Sequence, residues 1–146
     1  VSTAVGAALA GGPTACLIGD VAFLHDTNGL LGAARRHLDL VVVVVDNDGG
    51  GIFSFLPPAA PLAPDRYEQL FGTPHGVDLA ALARVHGAEV AEVITATDLV
   101  AAVELAFAAG GLHVVVVRTD RGTNVTVHDE IHAAVAAALV EGSGRG

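Results

Sequence analysis

The run Leu40 to Val45 is a leucine followed by five valines, with no polar residue to interrupt it. β-branched side chains fit a pleated surface. A run with no polar face has nothing to offer water, so it reads as a strand covered on both sides, the situation of strands in a parallel sheet. Thr14 to Ile18, Ala88 to Val93 and His113 to Val117 read as further strands, the first of them buried with the Cys16 thiol inside it. Helical segments separate them. Ser2 to Ala10 is closed by Gly11-Gly12-Pro13; Asn28 to Arg36 is helical, with Asn28 as N-cap. Asp78 to His86 is capped by Asp78 and stopped by Gly87, and Asp98 to Ala108 is capped by Thr97 or Asp98. Thr126 to Val140 carries Ile131, Val135 and Leu139 at a spacing of four. Alternating helices and apolar strands predict an α/β fold: a doubly wound, mainly parallel sheet with helices on both faces.

The length of 146 residues suits one domain, 1–146, with 141–146 expected to be a flexible tail. No apolar run approaches the roughly 20 residues of a membrane span. Seven Lys and Arg against sixteen Asp and Glu give a net charge of −9, which disfavours nucleic acid and anionic membrane surfaces as partners. One cysteine permits no internal disulfide and fits a reducing, cytoplasmic setting. The chain has no methionine and opens in mid-pattern at Val1, so it is expected to be part of a longer polypeptide.

Ligands of such sheets bind beyond the carboxyl ends of the strands. Gly19-Asp20 ends one strand and Asp46-Asn47-Asp48 ends the next, so the two polar clusters meet if those strands are neighbours. Asp20 offers a carboxylate, Asn47 an amide oxygen, and Gly49 a backbone carbonyl free to turn inward. Three hard oxygens suit Mg²⁺ when phosphate and water complete its shell. The same residues also suit an ordinary Asx turn, and both readings stand at this point. No G-x-x-x-x-G-K-[ST] and no strand followed by G-x-G-x-x-G occurs. The loop from Asp48 to Pro64 is long for a compact domain and is a candidate functional segment.

"GDVAFLHDTNGLL" followed by "VVVVVDNDGGGIFSFLP" resembles the thiamine-diphosphate motif, which opens on Gly-Asp and closes on an Asn pair some twenty-five to thirty residues later. His-Asp-x-Asn-Gly-Leu, Gly-Gly-Gly-Ile-Phe and "FGTPHGVD" resemble the 2-succinyl-5-enolpyruvyl-6-hydroxy-3-cyclohexene-1-carboxylate synthases of menaquinone biosynthesis, as does the opening "VSTAVGAALA". The likeness covers essentially the whole chain and corresponds to the C-terminal, diphosphate-binding domain of that family. It implies thiamine diphosphate and Mg²⁺, or Mn²⁺ in its place, with Asp20, Asn47 and the Gly49 carbonyl as metal ligands. Backbone at Gly19, Val21 and Ala22 would meet the diphosphate; Ile52, Phe53 and Leu56 would line the pocket, with Ile52 also touching the cofactor. The implied reaction is decarboxylation of 2-oxoglutarate and addition of the resulting carbanion to isochorismate, by a homo-oligomer, dimer or tetramer. No catalytic residue is assignable here, because the glutamate that activates the cofactor lies in another domain of that family, so this stretch alone is expected to be inactive. A thiamine-diphosphate enzyme of the acetolactate synthase kind, or a non-catalytic cofactor- or partner-binding module, are the alternatives.

Asp46 and Asp48 depart from the commoner Asn-rich motif, and at least one is expected to turn away from the diphosphate into a turn or cap. His25 and Asp26 are read as shaping a turn, and His75 as ordering the long loop or approaching substrate. His128 is read as lying near a helix start, without metal-ligand spacing to its neighbours.

Overall fold

The computed structural model describes residues 1–56 and 62–143, without the side chains of 141–143. Four strands form its frame: β1 (Thr14–Gly19), β2 (Leu40–Asp46), β3 (Glu89–Val93) and β4 (Leu112–Arg118). The helices are α1 (Ser2–Gly11), α2 (Asp20–His25), α3 (Pro64–Tyr67), α4 (Leu79–Val85), α5 (Ala96–Ala109) and α6 (Arg121–Ser143). The sheet order is β1-β2-β4-β3 and every pairing is parallel. The two valine-rich strands lie side by side at the centre, in register from Leu40 opposite Leu112 to Asp46 opposite Arg118. Val42, Val44, Val114 and Val116 are fully buried. The doubly wound parallel sheet is therefore the one expected from those runs.

On one face α1, α2 and α4 close over Val42, Val44, Val114 and Val116 with Val5, Phe23 and Leu79. On the other, α5 packs Ala102, Val103 and Ala106 against Val41, Val43 and Val115. Burying one such side chain contributes about 1.5–3 kcal/mol, so the central strands anchor the fold.

The edges differ from the sequence reading. β1 is not buried throughout: its residues alternate between half-buried and exposed, and Leu17 is 76 % exposed. It is an edge strand whose second face α5 does not reach, and Cys16 is half-buried against the α1 side. β3 is the other edge and turns Glu89 and Glu92 to solvent. Asn28 to Arg36 is not an α-helix but two 3₁₀ turns, Thr27–Leu30 and Ala33–Arg35, and Asn28 lies inside the first rather than capping a helix. Gly32 between them is left-handed (φ 72°), which breaks the α-helical hydrogen-bond run.

The Asp78 cap holds, its Oδ1 accepting the Ala81 N–H at 2.8 Å. α5 starts two residues early because Thr95 Oγ1, rather than Thr97 or Asp98, caps it by accepting the Asp98 N–H. α6 starts at Arg121, with Asp120 accepting the Thr123 N–H at 2.7 Å. The helix runs on through Ser143, into the expected tail, whose last residues 144–146 lie outside the described residues. Part of the long loop, 57–61, does so too; its described part holds a 3₁₀ turn, Gly51–Phe55, and it ends at Pro64, where α3 begins, followed by a π turn, Glu68–Gly72.

Candidate metal and diphosphate site

β1 and β2 end side by side, with Gly19 opposite Val45, so the residues that follow both strands share one rim. The chain turns into α2 at Asp20, whose side chain is buried. Its Oδ1 accepts the Val21 N–H at 2.7 Å. Its Oδ2 accepts the Asn47 N–H at 3.2 Å and the Gly49 N–H at 2.9 Å. One carboxylate thus folds the turn after β2 back onto the end of β1.

Asn47 Oδ1 lies in this turn, buried and without a hydrogen-bond partner among the described residues. A buried oxygen left so costs about 1–3 kcal/mol, a cost that a cation or a donor would remove. The glycines after it are required by their surroundings. Gly49 has φ 128°, and a Cβ on it would run into the Gly72 carbonyl oxygen. A Cβ on Gly50 would meet the Phe71 carbonyl oxygen, and the Gly50 N–H donates to the Gly72 carbonyl at 2.7 Å. The segment lies flat on the backbone of the π turn, an approach only glycine permits. The Gly49 carbonyl accepts the Gly51 N–H at 3.0 Å.

The two unusual aspartates are both satisfied by protein groups. Asp46 is buried, lies 3.4 Å from the Arg118 guanidinium on β4 through Oδ2, and accepts the Asp48 N–H at 3.2 Å through Oδ1. Asp48 is half-exposed and turns to the loop before α4, accepting the N–H groups of His75 and Gly76 at 3.0 and 2.9 Å. The Gly76 N–H does most to hold its carboxyl below the ordinary carboxylate range. Asp48 therefore forms a turn with that loop, the role expected of at least one of the pair.

His75 is brought into the same rim. Its Nε2 is 3.3 Å from Asp20 Oδ2, and its Nδ1 accepts the Val77 N–H at 3.0 Å. A ring whose Nδ1 accepts carries its proton on Nε2 when neutral, so His75 donates to Asp20. Donor atoms of Asp20, Asp46 and His75 all lie within 4.8 Å of one another. With its Nδ1 engaged in this way, His75 braces the carboxylate rather than offering a lone pair to a metal. Asp46, Asp48, His75 and Arg118 wall a cleft of about 270 Å³ beside this cluster.

The rim collects Gly19, Asp20, Asn47 and Gly49. Val21 and Ala22 follow in the first turn of α2, both exposed, with the Val21 N–H already given to Asp20. Ile52, Phe53 and Leu56 lie exposed in and after the 3₁₀ turn, and the Phe53 ring is 5.5 Å from Phe71. Asp26 hydrogen-bonds backbone as expected, but its carboxylate reaches across to the start of α1, accepting the Ser2 N–H and hydroxyl at 2.7 and 2.6 Å, and makes no side-chain cap in its own turn. Arg118 is a rim residue that the sequence reading did not place, and His75, read as ordering the loop or approaching substrate, joins the rim through Asp20. Arg118 had a signal: opposite charges end two adjacent parallel valine strands.

Residues 1–117 match the family model described as thiamine pyrophosphate enzyme, C-terminal TPP binding domain. The chain is 49 % identical, over 97 % of its length, to a 2-succinyl-5-enolpyruvyl-6-hydroxy-3-cyclohexene-1-carboxylate synthase of Myxococcus xanthus, covering 24 % of that protein. It is 46 % identical over 95 % of its length to the protein of that name from Saccharopolyspora erythraea, covering 25 % of it. The chain thus spans about a quarter of the length of these curated relatives. Among solved structures it resembles benzoylformate decarboxylase from Polynucleobacter necessarius, with TM-score 0.67 and 25 % identity, over 81 % of this chain and 23 % of that one. It also resembles the Rhodococcus jostii thiamine diphosphate-dependent 4-hydroxybenzoylformate decarboxylase, with TM-score 0.66 and 28 % identity, over 80 % of this chain and 22 % of that one.

Proposed function

Because the chain belongs to the family of thiamine pyrophosphate enzyme C-terminal TPP-binding domains, we propose that its rim holds a Mg²⁺ or Mn²⁺ ion and, through it, the diphosphate of the cofactor. The observation that carries this reading is the buried Asn47 Oδ1, which lacks a partner in the turn that Asp20 ties down. Asp20, Asn47 and the Gly49 carbonyl are the proposed ligands, three hard oxygens suited to such a cation. Backbone at Gly19, Val21 and Ala22, leading into α2, would face the diphosphate. Bound thiamine diphosphate supplies a thiazolium that serves as electron sink in the decarboxylation of a 2-oxoacid. The apolar side chains of Ile52, Phe53 and Leu56 would form a wall of the pocket and keep water from the reacting centre.

We further propose that this is the cofactor-diphosphate domain of a longer 2-succinyl-5-enolpyruvyl-6-hydroxy-3-cyclohexene-1-carboxylate synthase. That protein would decarboxylate 2-oxoglutarate and join its remaining carbons to isochorismate in menaquinone biosynthesis, as a cytoplasmic homo-oligomer. The names of the relatives and their greater length support this. The residues described here contribute binding and orientation; the group that activates the cofactor would come from elsewhere in the longer protein, so this stretch alone is inactive.

Calorimetric titration of the full-length protein with thiamine diphosphate, with and without Mg²⁺, tests the site. Asp20→Ala and Asn47→Ala should abolish the Mg²⁺-dependent heat. Unchanged affinity in either variant would remove that residue from the ligand set.

A further inference from the structure

We propose that His128 and His132 on α6 form a binding site for a divalent transition cation, of which Zn²⁺ is the type, built from donors other than those of the rim. Residues four apart on a helix stand one turn apart on the same face. The two rings are 6.2 Å apart, centroid to centroid, and inclined at 73°. Histidines at i and i+4 are the spacing with which a helix presents two imidazoles to one zinc ion. The sequence reading finds no ligand spacing for His128 and does not pair it with His132, four residues on in the same helix; both lie within the regular turns of α6.

The tautomer of His128 is set for ligation. Its Nδ1 is 2.9 Å from the Asn124 carbonyl oxygen, which can only accept, so Nδ1 carries the proton and Nε2 keeps its lone pair. A ring nitrogen donated to a backbone carbonyl is the arrangement that orients a metal-binding histidine. The Phe55 ring packs edge-on against His128 at 5.1 Å and fixes it further. His75 is the contrast, since its Nδ1 accepts from Val77. His113 has no histidine one turn away, and its Nε2 pairs with the Gly110 carbonyl.

Both rings are exposed on α6, open to water that would fill the remaining coordination positions. Imidazole suits Zn²⁺, Ni²⁺ and Cu²⁺, whereas Mg²⁺ prefers carboxylate and water, so the pair selects a different ion from the rim. Asp129 and Glu130 beside the pair, and a net charge of −9, favour the approach of a cation.

The test uses the full-length protein with Mg²⁺ and thiamine diphosphate in excess, so that the rim is occupied. Zn²⁺ is titrated against a chromophoric chelator in the parent, His128→Gln and His132→Gln. The parent should bind one more Zn²⁺ than either variant within the chelator's range, with affinity at that site falling by about tenfold or more when one of the two ligands is lost. Equal stoichiometry and affinity in all three proteins would overturn the site, and so would a loss confined to one variant.

Discussion

His75 Nε2 lies 3.3 Å from Asp20 Oδ2, joining the loop before α4 to the first residue of α2. The Val77 N–H on Nδ1 fixes the ring as a donor to that carboxylate. Asp20 Oδ2 thus accepts from His75, Asn47 and Gly49 together, which sets the carboxylate's orientation at the rim. His75→Phe removes the brace and keeps bulk. It should weaken Mn²⁺ binding in the presence of thiamine diphosphate by about 10- to 100-fold, as loss of a group that orients a ligand does. His75→Gln, which retains an N–H donor, should recover most of it. Electron paramagnetic resonance of Mn²⁺ in the full-length protein reads both, and equal affinity in His75→Phe and the parent would refute the brace.

Asp48 acts one step further out, through the loop that carries His75. Its Oδ1 holds two backbone N–H groups, and its own backbone is left-handed with φ 57°. Asparagine tolerates that conformation and keeps the side-chain oxygen. Asp48→Asn should therefore change stability by less than about 0.5 kcal/mol and leave cofactor affinity unchanged. Asp48→Ala loses both hydrogen bonds and should cost about 1 kcal/mol, a value discounted because the carboxylate is half-exposed. Urea unfolding of the two variants separates these outcomes; equal losses would show that charge, rather than the acceptor oxygen, holds the loop.

The central part of this architecture is written in local sequence. Leu40 to Val45 and the run opposite it have no polar face and read as strands covered on both sides, and the polar residues that end adjacent parallel strands meet at a rim. Asn47 follows from that inference; Asp20 follows from reading Thr14 to Ile18 as a strand beside Leu40 to Val45. The edges are not legible in the same way. Thr14 to Gly19 is as apolar as a buried strand, and only its place at the end of the sheet exposes Leu17. His75 reads as a loop residue or one near substrate, but its bond to Asp20 is not legible for another reason. Its partner is 55 residues away, and the bond depends on how the Gly49–Gly51 segment, the π turn and Asp48 fold the loop back. No spacing rule contains that geometry.

The flat contact between the glycine run and the π turn predicts an unequal response to a single methyl group. Gly49→Ala places a Cβ against the Gly72 carbonyl in a left-handed conformation, so clash and strain add. Gly76 is also left-handed, φ 59°, but nothing lies within 4 Å of its added Cβ. Gly49→Ala should cost about 2–4 kcal/mol and abolish Mg²⁺-dependent cofactor binding, whereas Gly76→Ala should cost about 1–2 kcal/mol and retain it. Urea unfolding together with cofactor titration checks the pair. Similar losses of binding in both would mean that loop strain, rather than contact with the π turn, shapes the rim.

The start of α6 should respond to acid through Asp120. The Thr123 N–H does most to lower its carboxyl below the ordinary value, and the Thr123 side chain adds to this. A carboxyl whose pKa is lower folded than unfolded stabilises the folded form above the unfolded value, about 3.9. That contribution fades as pH falls from there through the folded value, because the neutral acid is a poorer acceptor for the helix N–H groups. As pH falls below about 4 the first turn of α6 should fray, and the Thr123 amide resonance should move toward its random-coil position. Asp120→Asn caps the same N–H without titrating, so that movement should disappear over this range. Selective ¹⁵N-threonine labelling of the full-length protein makes the resonance readable. An unchanged titration of Thr123 in Asp120→Asn would assign the acid response to another group and separate the cap from the pH dependence of the helix.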